Sequence, residues 1–230
     1  SAEPRAGGRG SGGAGAAANR VVFSHVVARD PDQGTLTHAL SVTGADAVFK
    51  AFDVRGSYTI ASILVKDGAA NNQFGPGLVF DGLPEGAGIT FQDAATVGNR
   101  VVGIWCGVTG AGSTSLGLRD DCIQLVRGAA ANTIGGPEAA DRNVLSGSEL
   151  GGGVAIESGS TRDNVIQGNW IGLAPDGRTA LPNNVGVRII GGAQGTRIVG
   201  NVISGNGAGG VALFSAGGGT ILRDNNIGRD

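Results

Sequence analysis

From residue 122 onward, short apolar runs alternate with glycine and asparagine in a fixed order. One series is CIQL (122–125), GVAI (153–156), GVRI (186–189) and GVAL (210–213), whose last three members begin 33 and 24 residues apart. A second is NTI (132–134), NVI (164–166), RIV (197–199) and TIL (220–222); a third is NVL (143–145), NWI (169–171), NVI (201–203) and NNI (225–227). Apolar residues at every second position mark half-buried strands. The three series interleave, so each circuit of the chain visits three strand positions before returning, which predicts a solenoid of stacked coils. The longer circuit contains LAPDGRTALPNN, and GPEAADR extends the turn after Gly136; insertions in a solenoid fall in loops. GLVFDG, GAGITFQ and NRVVGIWCG read as earlier, less regular coils.

Nearer the N-terminus the pattern changes. RVVFSHVVA reads as a first strand, and DQGTLTHALSVTGA predicts a short capping helix near 34–44, with Thr35, Leu36, Ala39 and Leu40 on its apolar side and Gly44 as its stop. DAVFKAFDVRGSYTIASILV gives two strand-like runs broken at Arg55-Gly56. Residues 1–20 hold six Gly, six Ala and three Arg without any apolar period and read as a tail, leaving 21–230 as the β-helix domain.

Composition agrees with an all-β reading. Gly supplies 45 of 230 residues while aromatics are 4% and Met is absent, so core bulk is expected from Val, Ile, Leu and Ala. Glycine costs about 1 kcal/mol per helix position, which disfavours long helices, and no strict three-residue period points to collagen. A net charge of -2 offers no basic field for nucleic acid. No apolar run approaches the ~20 residues of a membrane span. Cys106 and Cys122 are consistent either with one disulfide or with buried thiols.

The recurring asparagines have a structural explanation. At a bend an Asn adopts the left-handed region and bonds nearby backbone; stacked coil on coil, its amide bonds its equivalents in a ladder. Asn143, Asn169, Asn201 and Asn225 are expected to form one ladder, and Asn132 and Asn164 part of another.

The repeated N-x-I-x-G-N-x-I and G-V-x-I units resemble the right-handed parallel β-helix repeats of pectate-lyase-like proteins. GTLTHAL with VFKAFDVRGSYTI is similar to that family's capping helix and first strands, and FDGLPEGAGITF and VVGIWCGVTG to its next coils, covering about residues 33–228. The resemblance implies an all-β, single-stranded right-handed parallel β-helix of about six coils, and an extracellular or cell-surface location. Lyases, hydrolases, epimerases and surface repeat proteins share this repeat, so it names no single activity.

The strand that departs from the rhythm carries the candidate chemistry. RDDCIQLVRG (119–128) resembles the DDC strand of polygalacturonases and the Asp-containing strand with which pectate lyases bind calcium. That implies Asp120, Asp121 and Arg127 as catalytic candidates, with Asp120 and Asp121 as the ligands of any Ca²⁺; no other cofactor is expected. Paired carboxylates suit both acid–base work and a hard cation. The simpler reading is that the two aspartates cap a turn before a strand. Register favours it: the next coils put Gly152, Val185 and Gly209 in the Asp121 column, and Gly152 stands where the polygalacturonase GHG element has His. NTIGG likewise replaces the pectate-lyase DHC strand. Outward positions on the same sheet are Gln124, Ala155, Arg188 and Ala212, with Glu157 and Phe214 nearby. Gln124, Glu157 and Arg188 are the candidate substrate-binding residues, Arg188 and Glu157 being placed as a diagonal ion pair. His25 and His38 read as structural or solvated.

Two functions follow as expectations. One is a secreted or surface-exposed structural and interaction protein, assembling with itself or another surface protein through the tail and an open C-terminal coil. The other is a polysaccharide-active lyase or hydrolase, or a carbohydrate-binding module.

Overall fold

The computed structural model describes residues 22–23, 37–55, 58–108 and 117–228. The tail at 1–20 and His25 lie outside them. Every strand-to-strand ladder is parallel, and the strands fall into three sheets that the chain visits in rotation. Sheet 1 runs from Val22–Phe23 through Val48–Phe49, Thr133–Gly135 and Val165–Gln167 to Ile221–Arg223. Sheet 2 runs from Asp53–Val54 through Trp105–Cys106 and Trp170–Ile171 to Asn226–Ile227. Sheet 3 has the longest strands, among them Ala61–Val65, Ala87–Gln92, Ile123–Val126, Gly152–Glu157, Val185–Ile190 and Gly209–Phe214. Among the described residues the sheets hold eight, seven and seven strands, a parallel β-solenoid.

The alternating register builds the core. Ile123 stacks on Val154, which stacks on Val187, and Leu125 stacks on Ile156 and Ile189 in the neighbouring inward column; all six are fully buried. Sheet 1 contributes Ile134, Ile166 and Ile198, and sheet 2 Leu145, Ile171 and Ile203. Aromatic rings also contribute bulk, contrary to the expectation from composition. Phe49 stacks on Phe74 at 5.0 Å, Phe74 meets Phe91 edge-on at 5.6 Å, and the few Phe residues concentrate in these first coils. In the final described circuit the same inward columns lose their cover: Leu213, Leu222 and Ile227 are 49%, 43% and 44% exposed.

The helix expected near 34–44 is not found. Positions 34–36 lie outside the described residues, and Leu40–Val42 is a sheet 3 strand paired in parallel with Ile63, Leu64 and Val65. Buried Val42 and half-buried Leu40 flank exposed Ser41, a period of two; a neighbouring strand edge with free carbonyls outweighs the weak helical spacing. The GPEAADR turn instead holds a single 3₁₀ turn, Ala139–Asp141. In the LAPDGRTALPNN loop, Asp176 accepts from the Arg178 and Thr179 amides and the Thr179 hydroxyl at 2.8, 2.9 and 2.6 Å.

Asparagine ladders line the corners. Nδ2 of Asn143 donates to Oδ1 of Asn169, Asn169 to Asn201, and Asn201 to Asn225, at 2.9, 3.0 and 2.9 Å. Each acceptor oxygen also takes the backbone N–H of the same donor residue, at 3.3, 2.9 and 3.0 Å. The remaining Nδ2 hydrogens go to carbonyls, as from Asn169 to Ile134 at 2.9 Å. The second ladder is longer than expected: Asn132 and Asn164 continue upward to Asn99 and Asn72. A third joins Asn183 to Asn206 at 2.9 Å. At Asn72, Asn132, Asn164 and Asn225 the left-handed residue is not the ladder Asn but the one before it, with φ of 56, 53, 58 and 56° at Asn71, Ala131, Asp163 and Asp224; ahead of Asn143, Arg142 is extended. The left-handed residue turns the corner, which leaves the following Asn to aim its amide along the stack.

Asn169 therefore fills two donor and two acceptor roles in a fully buried site. Asn169→Ala is expected to cost roughly 3 kcal/mol or more by urea denaturation, since it orphans several buried partners. Asn225→Ala, in the half-exposed last rung, is expected to cost about 1 kcal/mol.

Candidate functional site

Sheet 3 positions the candidate residues in the register read from the sequence. Gln124, Ala155, Arg188 and Ala212 form one outward column, and Gly152, Val185 and Gly209 continue from the level of Asp121. Strict alternation begins only at Ile123; Cys122 and Asp121 ahead of it are both fully buried.

Asp121 is the electrostatic centre of this face. Its Oδ1 accepts the Gly152 N–H at 2.6 Å, and its Oδ2 takes Nη2 of Arg188 at 2.8 Å. The same Nη2 lies 3.3 Å from Oε1 of Glu157, so one guanidinium nitrogen bridges two carboxylates. The expected pair of Arg188 with Glu157 is thus present, but Arg188 also anchors a second, deeper carboxylate 67 residues away in the chain. Its Nε is buried without a partner among the described residues. Asp121 satisfies the amide of the coil stacked on it.

Two adjoining shallow cavities open on this face. One, of about 480 Å³, is lined by Thr59, Glu85, Arg119, Asp120, Leu150 and Arg188. The other, of about 440 Å³, is lined among others by Thr90, Gln92, Gln124, Arg127, Glu157 and Ser158. Asp120 and Asp121 therefore lie ahead of the Ile123–Val126 strand, Arg188 shares the Gln124 column and reaches back to Asp121, and Glu157 stands level with Val126, next to Arg127 at the far end. Arg127 is a left-handed corner residue with φ of 53°, and its N–H donates to Ser158 Oγ at 3.0 Å. Glu85, Arg119 and Thr59 were not singled out from sequence, because they sit on corners whose stacking cannot be read from residue spacing. A second buried carboxylate, Asp81, pairs with Arg55 Nε at 2.8 Å on the corner after sheet 2. Burial raises its pKa against the opposing pull of Arg55. His38 is half-buried against Thr37 Oγ1 at 2.9 Å.

This geometry limits what the pair Asp120–Asp121 does. Both oxygens of Asp121 are taken by protein donors, so a Ca²⁺ bound by both aspartates would have to displace Arg188. No group of three or more His, Cys, Asp or Glu side chains suited to a metal occurs among the described residues. The carboxylates that line the first cavity are Asp120 and Glu85, flanked by the guanidinium of Arg119, and Glu157 lines the second. Asp121 acts through Arg188, holding a cation at the cavity wall.

No helix among the described residues is long and apolar enough to cross a membrane. Compared with protein-family models, curated proteins and solved structures, the chain matches none.

Burial raises the Asp121 pKa to about 6, the more so beside Asp120, against the opposing effects of Arg188 and the Gly152 N–H. A carboxyl whose pKa is raised on folding binds its proton more tightly in the native state. Its cost to stability is therefore absent well below pH 4 and complete above about pH 6. The stability of the wild type relative to Asp121→Asn is expected to fall by about 2 kcal/mol between pH 4 and pH 7. Urea denaturation across that range checks it, and a pH-independent difference would contradict the buried titration.

Proposed function

We propose that this chain is a secreted or surface-exposed structural and interaction protein, a right-handed β-helix of pectate-lyase-like kind that associates by coil-on-coil stacking. The observation that carries this reading is the regular repeat, whose three sheets continue in register from coil to coil through parallel ladders that a second copy can extend. Leu213, Leu222 and Ile227 occupy columns whose preceding members, Ile189, Ile198 and Ile203, are fully buried. Beside them lie three parallel strand edges, Gly209–Phe214, Ile221–Arg223 and Asn226–Ile227. Parallel strand edges recruit further strands. A second copy stacked head to tail makes a heterologous contact that repeats along one axis. The Gly/Ala/Arg segment 1–20 is assigned the part of an arm in that contact.

Light scattering is expected to show concentration-dependent association. Leu222→Lys should reduce it strongly and deletion of residues 1–20 should weaken it. A wild type that stays monomeric at every concentration overturns the reading.

A second reading, a polysaccharide lyase, hydrolase or carbohydrate-binding module, is favoured by the clustering of Glu85, Arg119, Asp120 and Arg188 around one open cavity. Incubation with polygalacturonate and alginate, with and without Ca²⁺, separates the two. The interaction reading predicts no new unsaturated or reducing ends; turnover abolished by Asp121→Ala would establish the enzyme instead.

A further inference from the structure

The corner between sheets 2 and 3 repeats one pairing of sizes. The sheet 2 column there runs Phe80, Cys106, Leu145, Ile171, Ile203 and Ile227. One residue ahead of the stacked Ile89, Ile123, Val154, Val187 and Val211 of sheet 3 stand Gly88, Cys122, Gly153, Gly186 and Gly210. A Cβ added at Gly153 would lie 2.5 Å from Cγ2 of Ile171, one at Gly186 2.4 Å from Ile203, and one at Gly210 2.5 Å from Ile227. In those circuits the large side chain fills the space that glycine leaves.

Cys106 is the smallest residue of its column, and Cys122, like Ser62 in the coil before Gly88, carries a side chain where Gly88, Gly153, Gly186 and Gly210 have none. The two departures compensate each other in volume, and both border Gly88: a Cβ added there would lie 3.4 Å from Sγ of Cys106 and 2.6 Å from the Cys122 carbonyl oxygen, while the Cys122 thiol donates to the Ser146 carbonyl oxygen at 3.7 Å. Both are free thiols and fully buried. The size exchange in the repeat and the burial of both thiols in one core cluster single out the same two residues.

We propose that Cys106 and Cys122 are a disulfide-forming pair, whose oxidation ties the Trp105–Cys106 strand to the residue next to Asp121 of the candidate site. The oxidant is a disulfide, either a small one such as oxidised glutathione or a protein disulfide. One cysteine thiolate attacks it, forming a mixed disulfide and releasing one thiolate. The second cysteine thiolate then attacks the mixed disulfide and releases the other. Two cysteine S–H bonds and one S–S bond are lost, one cystine S–S bond forms, and both protons end on the released thiols. Burial, and the neighbouring thiol, push the Cys122 pKa well up, so exchange belongs to folding or to an opened corner rather than to the closed native state. The inference stands independently of the function proposed above.

The test uses the full chain refolded in a buffer of reduced and oxidised glutathione, then denatured and treated with N-ethylmaleimide. The expected product takes up no label and is lighter than the reduced protein by the two hydrogens lost. A cross-link between Cys106 and Cys122 is expected to raise the melting temperature by roughly 6–12 °C, a gain that dithiothreitol removes. The double variant Cys106→Ile with Cys122→Gly restores the large–glycine pairing of the other circuits, so it should fold and melt at one temperature with or without reductant. Full labelling of both cysteines after refolding, disulfide-linked dimers, or a wild-type melting temperature indifferent to dithiothreitol would each overturn the proposal.

Discussion

A stack of parallel coils must satisfy every backbone amide at corners that water does not reach, and the asparagine ladders meet that constraint here. A buried amide left unpaired costs about as much as a lost hydrogen bond. Each ladder Asn takes two N–H donors from one coil on its oxygen and sends its own two hydrogens to a carbonyl and to the next Asn. Donors and acceptors balance only when equivalent residues lie directly over one another, so the ladder fixes register as well as stability. Where the second ladder passes from Asn164 to Thr196 and Thr220, the hydroxyls find no partner. A shorter side chain does not reach the neighbouring rung.

Fixed register gives this chain its unusual face on sheet 3. Because each coil is locked to the next, Asp121 and Arg188 meet at 2.8 Å across two levels of the stack. A carboxylate with no solvent exposure is tolerated because the Gly152 amide and the Arg188 guanidinium both address it. That arrangement spends the acidic character of Asp121 on holding a cation, and it leaves Asp120 and Glu85 to line the first cavity. The two cavities of this face are shallow and lined in part by charged side chains, whereas the most exposed large apolar side chains include those of the final described circuit.

The fold was largely legible because two residue types mark it. Gly before a Val-x-Ile/Leu triplet sets the sheet 3 register, and Asn before an apolar pair sets two corners; the predicted column of Gln124, Ala155, Arg188 and Ala212 is the observed one. Legibility failed where those markers change. Asn72 and Asn99 were missed because NQF and NRV lack the Asn-x-Ile spelling, although a ladder needs only the amide. Asn183 was hidden beside Pro182 in the long loop. Leu40–Val42 carried a weak helical spacing that strand pairing overrode. Of the candidate site, the sequence showed the outward column but not the depth of Asp121. Burial at a corner depends on what the next coil places over it, here Gly152 and Arg188, and spacing along the chain does not encode that.

Hydrogen–deuterium exchange of the asparagine side-chain amides, followed by NMR, tests the ladder account most directly. The Nδ2 hydrogens of Asn99, Asn132, Asn143 and Asn169 lie in fully buried rungs and are predicted to exchange orders of magnitude more slowly than those of Asn184, whose amide is exposed. Exchange of all of them at the rate of a free amide would contradict the ladders as the element that holds the coils in register.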